Sequence, residues 1–212
     1  MAGRYRICGL IMGALLLLAD SQLLFREDKA PELHRRVKTR FPHTMDAAYI
    51  GAANGDDPTF YELACEGIRH LLGRDGMVRW VRPGAELPLP CPLVILAGGN
   101  VSVGWDRLKE QRMRDWLRRC RDLPNSLMVG VSAGAIHMAR GKDPEQAHSV
   151  HQHFLNWLPF NVAVHEEREG WPSLEGVAGI GIPLGGGVWV EAEAPTQLTA
   201  YGNVFLNRML LG

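Results

Sequence analysis

The sequence predicts an α/β fold, a single domain in which a mostly parallel sheet carries helices on both faces. Short apolar runs alternate with longer amphipathic segments along the chain, which is typical of βαβ units. The 212 residues suit one domain with a sizeable core, and neither an internal repeat nor a linker divides them. With 46% hydrophobic and 22% charged residues, the composition excludes a disordered chain.

Charge and cysteine content narrow the class of protein further. The 23 basic and 23 acidic residues give a formal net charge of zero, so the whole chain offers no field that would attract a phosphate backbone. We therefore expect no nucleic-acid partner. Four cysteines lie far apart without a C-x-x-C pair, which indicates reduced thiols in a cytoplasmic protein rather than a secreted disulfide set. These are Cys8, Cys65, Cys91 and Cys120.

The N-terminus imitates a signal peptide, because Arg4 and Arg6 precede an apolar run at 7–19. That run has 13 residues, fewer than the ~20 that a membrane-spanning helix needs. No A-x-A-like cleavage site follows it. We interpret 13–19 as a buried first strand and 1–12 as a possible N-terminal extension, with a leader over 1–19 as the alternative. No association with a membrane is expected.

The other elements follow from periodicity and from turn residues. Asp57 before Pro58 predicts a helix start, with an N-cap followed by proline at the first helical position. One apolar helical face joins Trp105 to Cys120, and acidic residues interrupt the bases of the opposite face, so a solvated surface is expected there rather than a nucleic-acid site. The predicted helices lie at 27–40 and 57–73, and the predicted strands at 46–51, 77–81, 93–97 and 127–131, followed by an apolar segment at 154–164 and Gly- and Pro-rich strands.

The strongest chemical signal is the run from Gly130 to Ala135, which matches the G-x-S-x-G nucleophile elbow. A buried strand precedes it and a segment able to form a helix follows, as the motif requires. The sharp turn lifts the hydroxyl of Ser132 out of the sheet and directs the backbone N–H of Ala133 toward a developing oxyanion. Ser132 is therefore the candidate nucleophile. The alternative is a structural glycine-rich turn.

A nucleophilic serine needs a base, and His165 is the candidate among eight histidines. It ends an apolar run, where the carboxyl end of a strand would place it beside the elbow. His137 is expected to pack inside the protein. The cluster of His148, His151 and His153 has no Cys or Glu at a helical ligand spacing, so no metal site is predicted there. The remaining histidines precede the active edge or lie on polar helix faces.

A second oxyanion donor is expected at the end of another strand on the same sheet edge. Gly98-Gly99-Asn100 meets this requirement, because glycines let the backbone approach a substrate closely and expose an N–H. An ordinary strand-ending turn is the alternative. The elbow makes the functional interpretation the stronger one.

These motifs resemble dipeptidase E, which belongs with the cyanophycinases to a group of serine peptidases on a fold similar to class I glutamine amidotransferases. The resemblance extends from about residue 13 to the end of the chain. The amidotransferases have cysteine at the elbow, so Ser132 argues against glutaminase chemistry. The matching segments are Leu-Leu-Leu-Leu-Ala-Asp-Ser, Leu-Ala-Gly-Gly-Asn-Val, Val-Gly-Val-Ser-Ala-Gly-Ala and Gly-Ile-Pro-Leu-Gly.

The resemblance implies a serine protease triad and an oxyanion hole. It makes Ser132 the nucleophile and His165 the general base, and it assigns the oxyanion hole to the N–H groups of Gly99 and Ala133. The family's acidic residue lies between serine and histidine, where Asp143 is the best match. Glu145 is a close alternative, and the orienting carboxylate could also be Glu166 or Glu167. The implied substrate is a small peptide or a related amide, without a metal or other cofactor, and relatives of this fold suggest a homodimer.

Two departures affect the expected specificity. Dipeptidase E has an Arg-rich helix after its histidine that recognises an N-terminal aspartate, whereas this chain has a short, glutamate-rich segment at 166–172. Leu184 also stands where the family usually has glutamate. Strict cleavage after an N-terminal aspartate is therefore not expected. An ester or thioester hydrolase, and a non-catalytic binding or regulatory protein on the same fold, remain as alternatives.

Overall fold

A computed structural model describes residues 13–43, 45–74, 76–141 and 154–207. Within these ranges the chain forms a seven-stranded sheet of order β3-β2-β4-β5-β1-β8-β9 and a three-stranded sheet of order β10-β7-β6. The first five strands of the large sheet run parallel, and β8 and β9 extend it in antiparallel fashion. The mostly parallel α/β fold that the sequence predicts is confirmed. The strands of the large sheet are β1 (Ala14–Leu18), β2 (Asp46–Ile50), β3 (Met77–Trp80), β4 (Leu93–Leu96), β5 (Leu127–Val131), β8 (Gly187–Glu191) and β9 (Leu198–Tyr201).

Strand β1 lies inside the large sheet and is buried along its whole length, which explains its unbroken apolar sequence. Its side chains alternate between the two faces. Leu15 and Leu17 join the core on one face, while Leu16 and Leu18 join the core on the other. The apolar run that imitates a signal peptide is thus a central strand over its described part.

Helices cover both faces of the large sheet. One face packs against α1 (Gln22–Phe25), α2 (Pro31–Arg40) and α3 (Pro58–Leu72). The other packs against α4 (Val101–Leu108), α5 (Gln111–Arg121) and α6 (Ala133–Met138). None of the helices in the described part of the chain is both long and apolar enough to cross a membrane.

Two helix predictions need correction. The helix expected from residue 27 begins only at Pro31, because proline fits the first turn of a helix but removes a hydrogen bond from its interior. The helical face between Trp105 and Cys120 is divided between α4 and α5. Glu110 separates them with an extended backbone (ψ 129°), which no continuous helix allows.

The small sheet contains β6 (Asn161–Val164), β7 (Gly179–Ile182) and β10 (Phe205–Leu206), with β6 parallel to β7. Short 3-10 turns lie at Ala52–Asn54 and Pro172–Leu174. The strand that ends before His165 therefore exists, but it belongs to this separate sheet rather than to the sheet that carries the elbow. Apolar periodicity identifies a strand without identifying its partner.

Helix α3 begins as the sequence predicts. The carboxylate of Asp57 accepts a hydrogen bond of 2.7 Å from the amide of Thr59, and Pro58 occupies the first helical position. Gly73 ends the helix in the left-handed conformation (φ 67°), which glycine adopts without steric cost.

Asp57→Ala should lower the free energy of unfolding by about 1 kcal/mol, because it leaves the helix amide without its side-chain acceptor. Asp57→Ser should retain most of the stability, since serine also caps helices. Urea denaturation of the two variants and the wild type measures the difference. Equal losses in both variants would show that the cap contributes nothing.

Candidate active site

The elbow at Ser132 joins β5 directly to α6. Ser132 has φ 49° and ψ −113°, a conformation that non-glycine residues rarely adopt. Its amide donates a hydrogen bond of 2.8 Å to the carbonyl oxygen of Leu18, and its own carbonyl oxygen accepts from Ala135 and Ile136. Its side chain makes no capping hydrogen bond to α6. The backbone is thus fixed while the hydroxyl is left available.

Close approach of neighbouring backbone explains the glycines on either side of Ser132. A Cβ on Gly130 would lie 2.6 Å from the amide nitrogen of Ala135, and a Cβ on Gly134 would overlap the carbonyl oxygen of Leu96. Both atoms belong to the backbone and have little room to move. The G-x-S-x-G spacing therefore reflects packing of the turn against α6 and β4.

The Gly98–Gly99 turn follows β4 and lies against the elbow. A Cβ on Gly98 would be 3.1 Å from the Cβ of Ser132. Gly99 has φ 141°, and a side chain there would overlap the carbonyl oxygen of Ala53, which accepts a hydrogen bond of 2.7 Å from the amide of Asn100. No hydrogen bond between described residues uses the amide of Gly99 or of Ala133.

His165 follows β6 with φ 63°, and its amide donates to the carbonyl oxygen of Ile182 at 3.3 Å. Its exposed side chain lines the same cavity as Ser132. No hydrogen bond between described residues joins the Ser132 and His165 side chains; in enzymes without substrate, catalytic hydrogen bonds are often long and tighten on binding.

The structure brings together three of the five predicted site residues in one cavity: Ser132, Gly99 and His165. Ala133, the fourth, is next to Ser132 in the chain.

The fifth predicted residue, Asp143, and its alternative Glu145 lie outside the described residues, as do His148, His151 and His153. The other two candidates for the orienting carboxylate, Glu166 and Glu167, are described, and each accepts hydrogen bonds from other residues. The two carboxylate oxygens of Glu166 accept from the amide and the hydroxyl of Ser173.

The second described alternative, Glu167, accepts a hydrogen bond of 3.2 Å from the amide of Leu184. The pKa of Glu167 is lowered, chiefly by hydrogen bonds from backbone amides and to a smaller extent by electrostatic interactions with His165 and Arg168. Glu167 is therefore a described carboxylate that interacts with the candidate base.

Two other histidines pack inside the protein. His137 is buried beneath α4, where its Nε2 lies 2.8 Å from the carbonyl oxygen of Val101, and it stacks on Trp105. This confirms its predicted packing role. His34 is buried as well, with Nε2 2.8 Å from the carbonyl oxygen of Leu23. Its burial corrects the expectation of a polar helix face, because α2 turns that side toward α1.

The cavity beside Ser132 has a volume of about 380 Å³. Its wall includes Asp20 and Ser21, which follow β1, and Asn54, which follows β2 in the 3-10 turn. The sequence analysis gives none of these three residues a role in the site, although their positions at the carboxyl ends of parallel strands are a signal that could have found them. The other lining residues are Ala19, Leu24, Tyr49, Phe60, Leu63, Ala64, Ile95, Ala97, Gly98 and Val131.

Solved structures show the same chain arrangement. A peptidase from an acI-B1 Actinobacterium superposes with a TM-score of 0.64 at 18% sequence identity, over 93% of this chain and 91% of that chain. A protein from Listeria monocytogenes EGD-e, described as a peptidase E, gives a TM-score of 0.60 at 15% identity, over 89% of this chain and 98% of that chain. The chain has a peptidase E-type fold. No protein-family model and no curated protein matches the sequence.

Gly134→Ala should lower the free energy of unfolding by about 1–3 kcal/mol, because the added methyl group overlaps the Leu96 carbonyl oxygen and forces the backbone apart. Ser132→Ala is the matched control, since it changes the same turn but removes an atom instead of adding one. Chemical denaturation of both variants measures the two effects. A Gly134→Ala variant as stable as Ser132→Ala would contradict the close approach of the elbow to β4.

Proposed function

We propose that the chain is a serine hydrolase of the dipeptidase E type, which cleaves a small peptide or a related amide through an acyl-enzyme. The observation that carries this proposal is the meeting of Ser132, Gly99 and His165 around one cavity, although they come from three separate segments. The strained elbow geometry of Ser132 supports it, because such backbone strain is concentrated at functional sites. The peptidase names of the two proteins with the same fold support it as well.

In the proposed mechanism the Oγ of Ser132 attacks the amide carbonyl carbon while His165 takes the hydroxyl proton. The tetrahedral intermediate collapses, the C–N bond breaks, and His165 returns the proton to the leaving amine. Water then attacks the acyl-enzyme, again with His165 as the base, and releases the carboxylic acid and the free serine. No metal or other cofactor takes part.

The amides of Gly99 and Ala133 form the proposed oxyanion hole. Ala133 follows Ser132 directly, and the Gly98–Gly99 turn lies against Ser132 and lines the cavity. The absence of another acceptor for the two amides among the described residues supports the assignment as well. Each such donor contributes roughly 2.7–4 kcal/mol of transition-state stabilisation in serine hydrolases. The turn at Gly99 tolerates no side chain, because its backbone packs against Ala53.

The cytoplasm is the proposed location. Cys65, Cys91 and Cys120 are free thiols in the described part of the chain, as expected for a protein in a reducing compartment.

A fluorophosphonate should label the folded wild-type protein on a single serine, Ser132, because only a serine with a base and an oxyanion hole reacts quickly with such a probe. Ser132→Ala should abolish labelling, and His165→Ala should slow it by at least about 10²-fold. Mass spectrometry of the labelled peptide identifies the serine. His43→Ala, which changes an exposed histidine outside the cavity, should label like the wild type.

Folded wild-type protein that takes up no label would contradict the proposal and favour a binding or regulatory role for the same fold. Circular dichroism of the same samples separates this outcome from a failure to fold.

Asp143 is the proposed orienting carboxylate. Asp143→Asn should slow labelling by at least about 10²-fold, because the imidazole would lose the acceptor that fixes its tautomer. Glu167→Gln should have a smaller effect, since it removes only a nearby charge from His165 and leaves an oxygen for the Leu184 amide. Labelling rates of both variants decide between the two residues. A larger loss in Glu167→Gln would transfer the role to Glu167.

A further inference from the structure

The cavity beside Ser132 has an apolar wall. Leu24 of α1, Ile95 of β4 and three residues of α3 form it, the last being Phe60, Leu63 and Ala64. Phe60 and Leu63 are 49% and 41% exposed, although both are large apolar side chains. A substrate that covered them would remove apolar surface from water.

The charge of the cavity favours a cation. Among the described residues that line it, none is lysine or arginine, and Asp20 carries the sole carboxylate. A negatively charged substrate side chain would meet this carboxylate without a lysine or arginine to compensate its charge. An ammonium group would be attracted to it, and more strongly beside an apolar wall than in bulk water.

The pairing of β1 with β5 places Asp20 near the nucleophile. Leu18 pairs with Val131 in the parallel register, and the amide of Ser132 donates to the carbonyl oxygen of Leu18. Asp20 follows Leu18 by two residues and Ser132 follows Val131 by one, so both residues lie just beyond the ends of adjacent strands, and both line the cavity.

Two hydrogen bonds hold the Asp20 carboxylate in place and leave it able to accept more. One oxygen accepts a hydrogen bond of 2.7 Å from the amide of Gln22, and the other accepts one of 2.6 Å from the amide of Gly185. A carboxylate has about four acceptor positions, so two remain for a ligand. The pre-formed position lowers the cost of ordering this side chain when a ligand binds.

We propose that the substrate is a peptide with a free amino terminus and a large apolar first residue. Asp20 binds the α-ammonium group, the apolar wall receives the first side chain, and Ser132 attacks the carbonyl of that residue. The α-ammonium is separated from this carbonyl by a single carbon, which matches a carboxylate on the strand next to the nucleophile. The inference rests on the proposed hydrolase function and names its substrate class.

Hydrolysis of three dipeptides by the wild-type protein tests the proposal directly: Leu-Ala, Asp-Ala and N-acetyl-Leu-Ala. Chromatography of the products gives kcat/KM for each. We expect Leu-Ala to exceed each of the other two by at least about tenfold, because a hydrogen bond to a charged group and an apolar contact are each worth that much.

Asp20→Asn tests the ammonium site. The ratio of kcat/KM for Leu-Ala to that for N-acetyl-Leu-Ala should fall by about 10- to 100-fold, since the acetylated peptide has no ammonium to lose. Asp28→Asn makes the same chemical change at an exposed aspartate outside the cavity and should leave the ratio unchanged.

Phe60→Ala tests the apolar wall. The preference for Leu-Ala over Gly-Ala should fall by about tenfold. Leu89→Ala is the control, because Leu89 is 88% exposed and lies outside the cavity.

The labelling experiment on Ser132 separates the two proposals. Labelled protein that prefers Asp-Ala or N-acetyl-Leu-Ala would overturn the substrate class and leave the hydrolase function standing. Labelled protein that cleaves p-nitrophenyl esters but none of the dipeptides would overturn it in favour of an ester substrate. Folded protein with neither labelling nor hydrolysis would overturn the hydrolase function and this inference together.

Discussion

The hydrogen bond from the Ser132 amide to the Leu18 carbonyl oxygen is the contact on which the site depends. It continues the parallel pairing of β1 with β5 by one residue beyond the last strand position, and so holds the start of the elbow at the sheet edge. Around the elbow, glycine at positions 130 and 134 lets the backbone of α6 and β4 approach closely, because a side chain at either position would clash with it. The position of Ser132, the candidate nucleophile, is therefore set by backbone packing and sheet pairing rather than by contacts of its own side chain.

The two sides of the cavity have different structural origins. Strand ends of the central sheet supply Ser132 and the Gly98–Gly99 turn, whose geometry is fixed by the backbone. The apolar wall comes chiefly from the first turns of α3, a helix that begins at the Asp57 cap and packs on the sheet through Ala64 and Ile68. In the proposed hydrolase, reaction geometry and substrate selection thus depend on different elements. Changes in α3 could alter specificity without moving the elbow.

The sequence predicted the parallel strands and the elbow well, because both leave local signals: buried apolar runs for the strands and small residues around Ser132 for the turn. It placed His165 correctly at a strand end but could not assign that strand to the small sheet, since pairing partners are not encoded locally. The division of a helix at Glu110 was also missed, because the apolar periodicity continues across the break. The sequence suggested no role for Asp20 for a related reason: its proposed role comes from its position beside β5, which lies more than a hundred residues away in the chain.

The two departures from dipeptidase E, the glutamate-rich segment at 166–172 and Leu184 in place of glutamate, meet at one turn. Glu167 accepts a hydrogen bond from the amide of Leu184, and Asp20 accepts one from the next amide, that of Gly185. Gly185 has φ 72°, a conformation that glycine adopts readily and that lets both amides of this turn face carboxylates. The turn therefore holds two carboxylates through neighbouring amides, and one of them, that of Asp20, belongs to a residue that lines the cavity. A pocket for an N-terminal aspartate would need the opposite charge, whereas an ammonium group beside an apolar side chain matches what these residues provide.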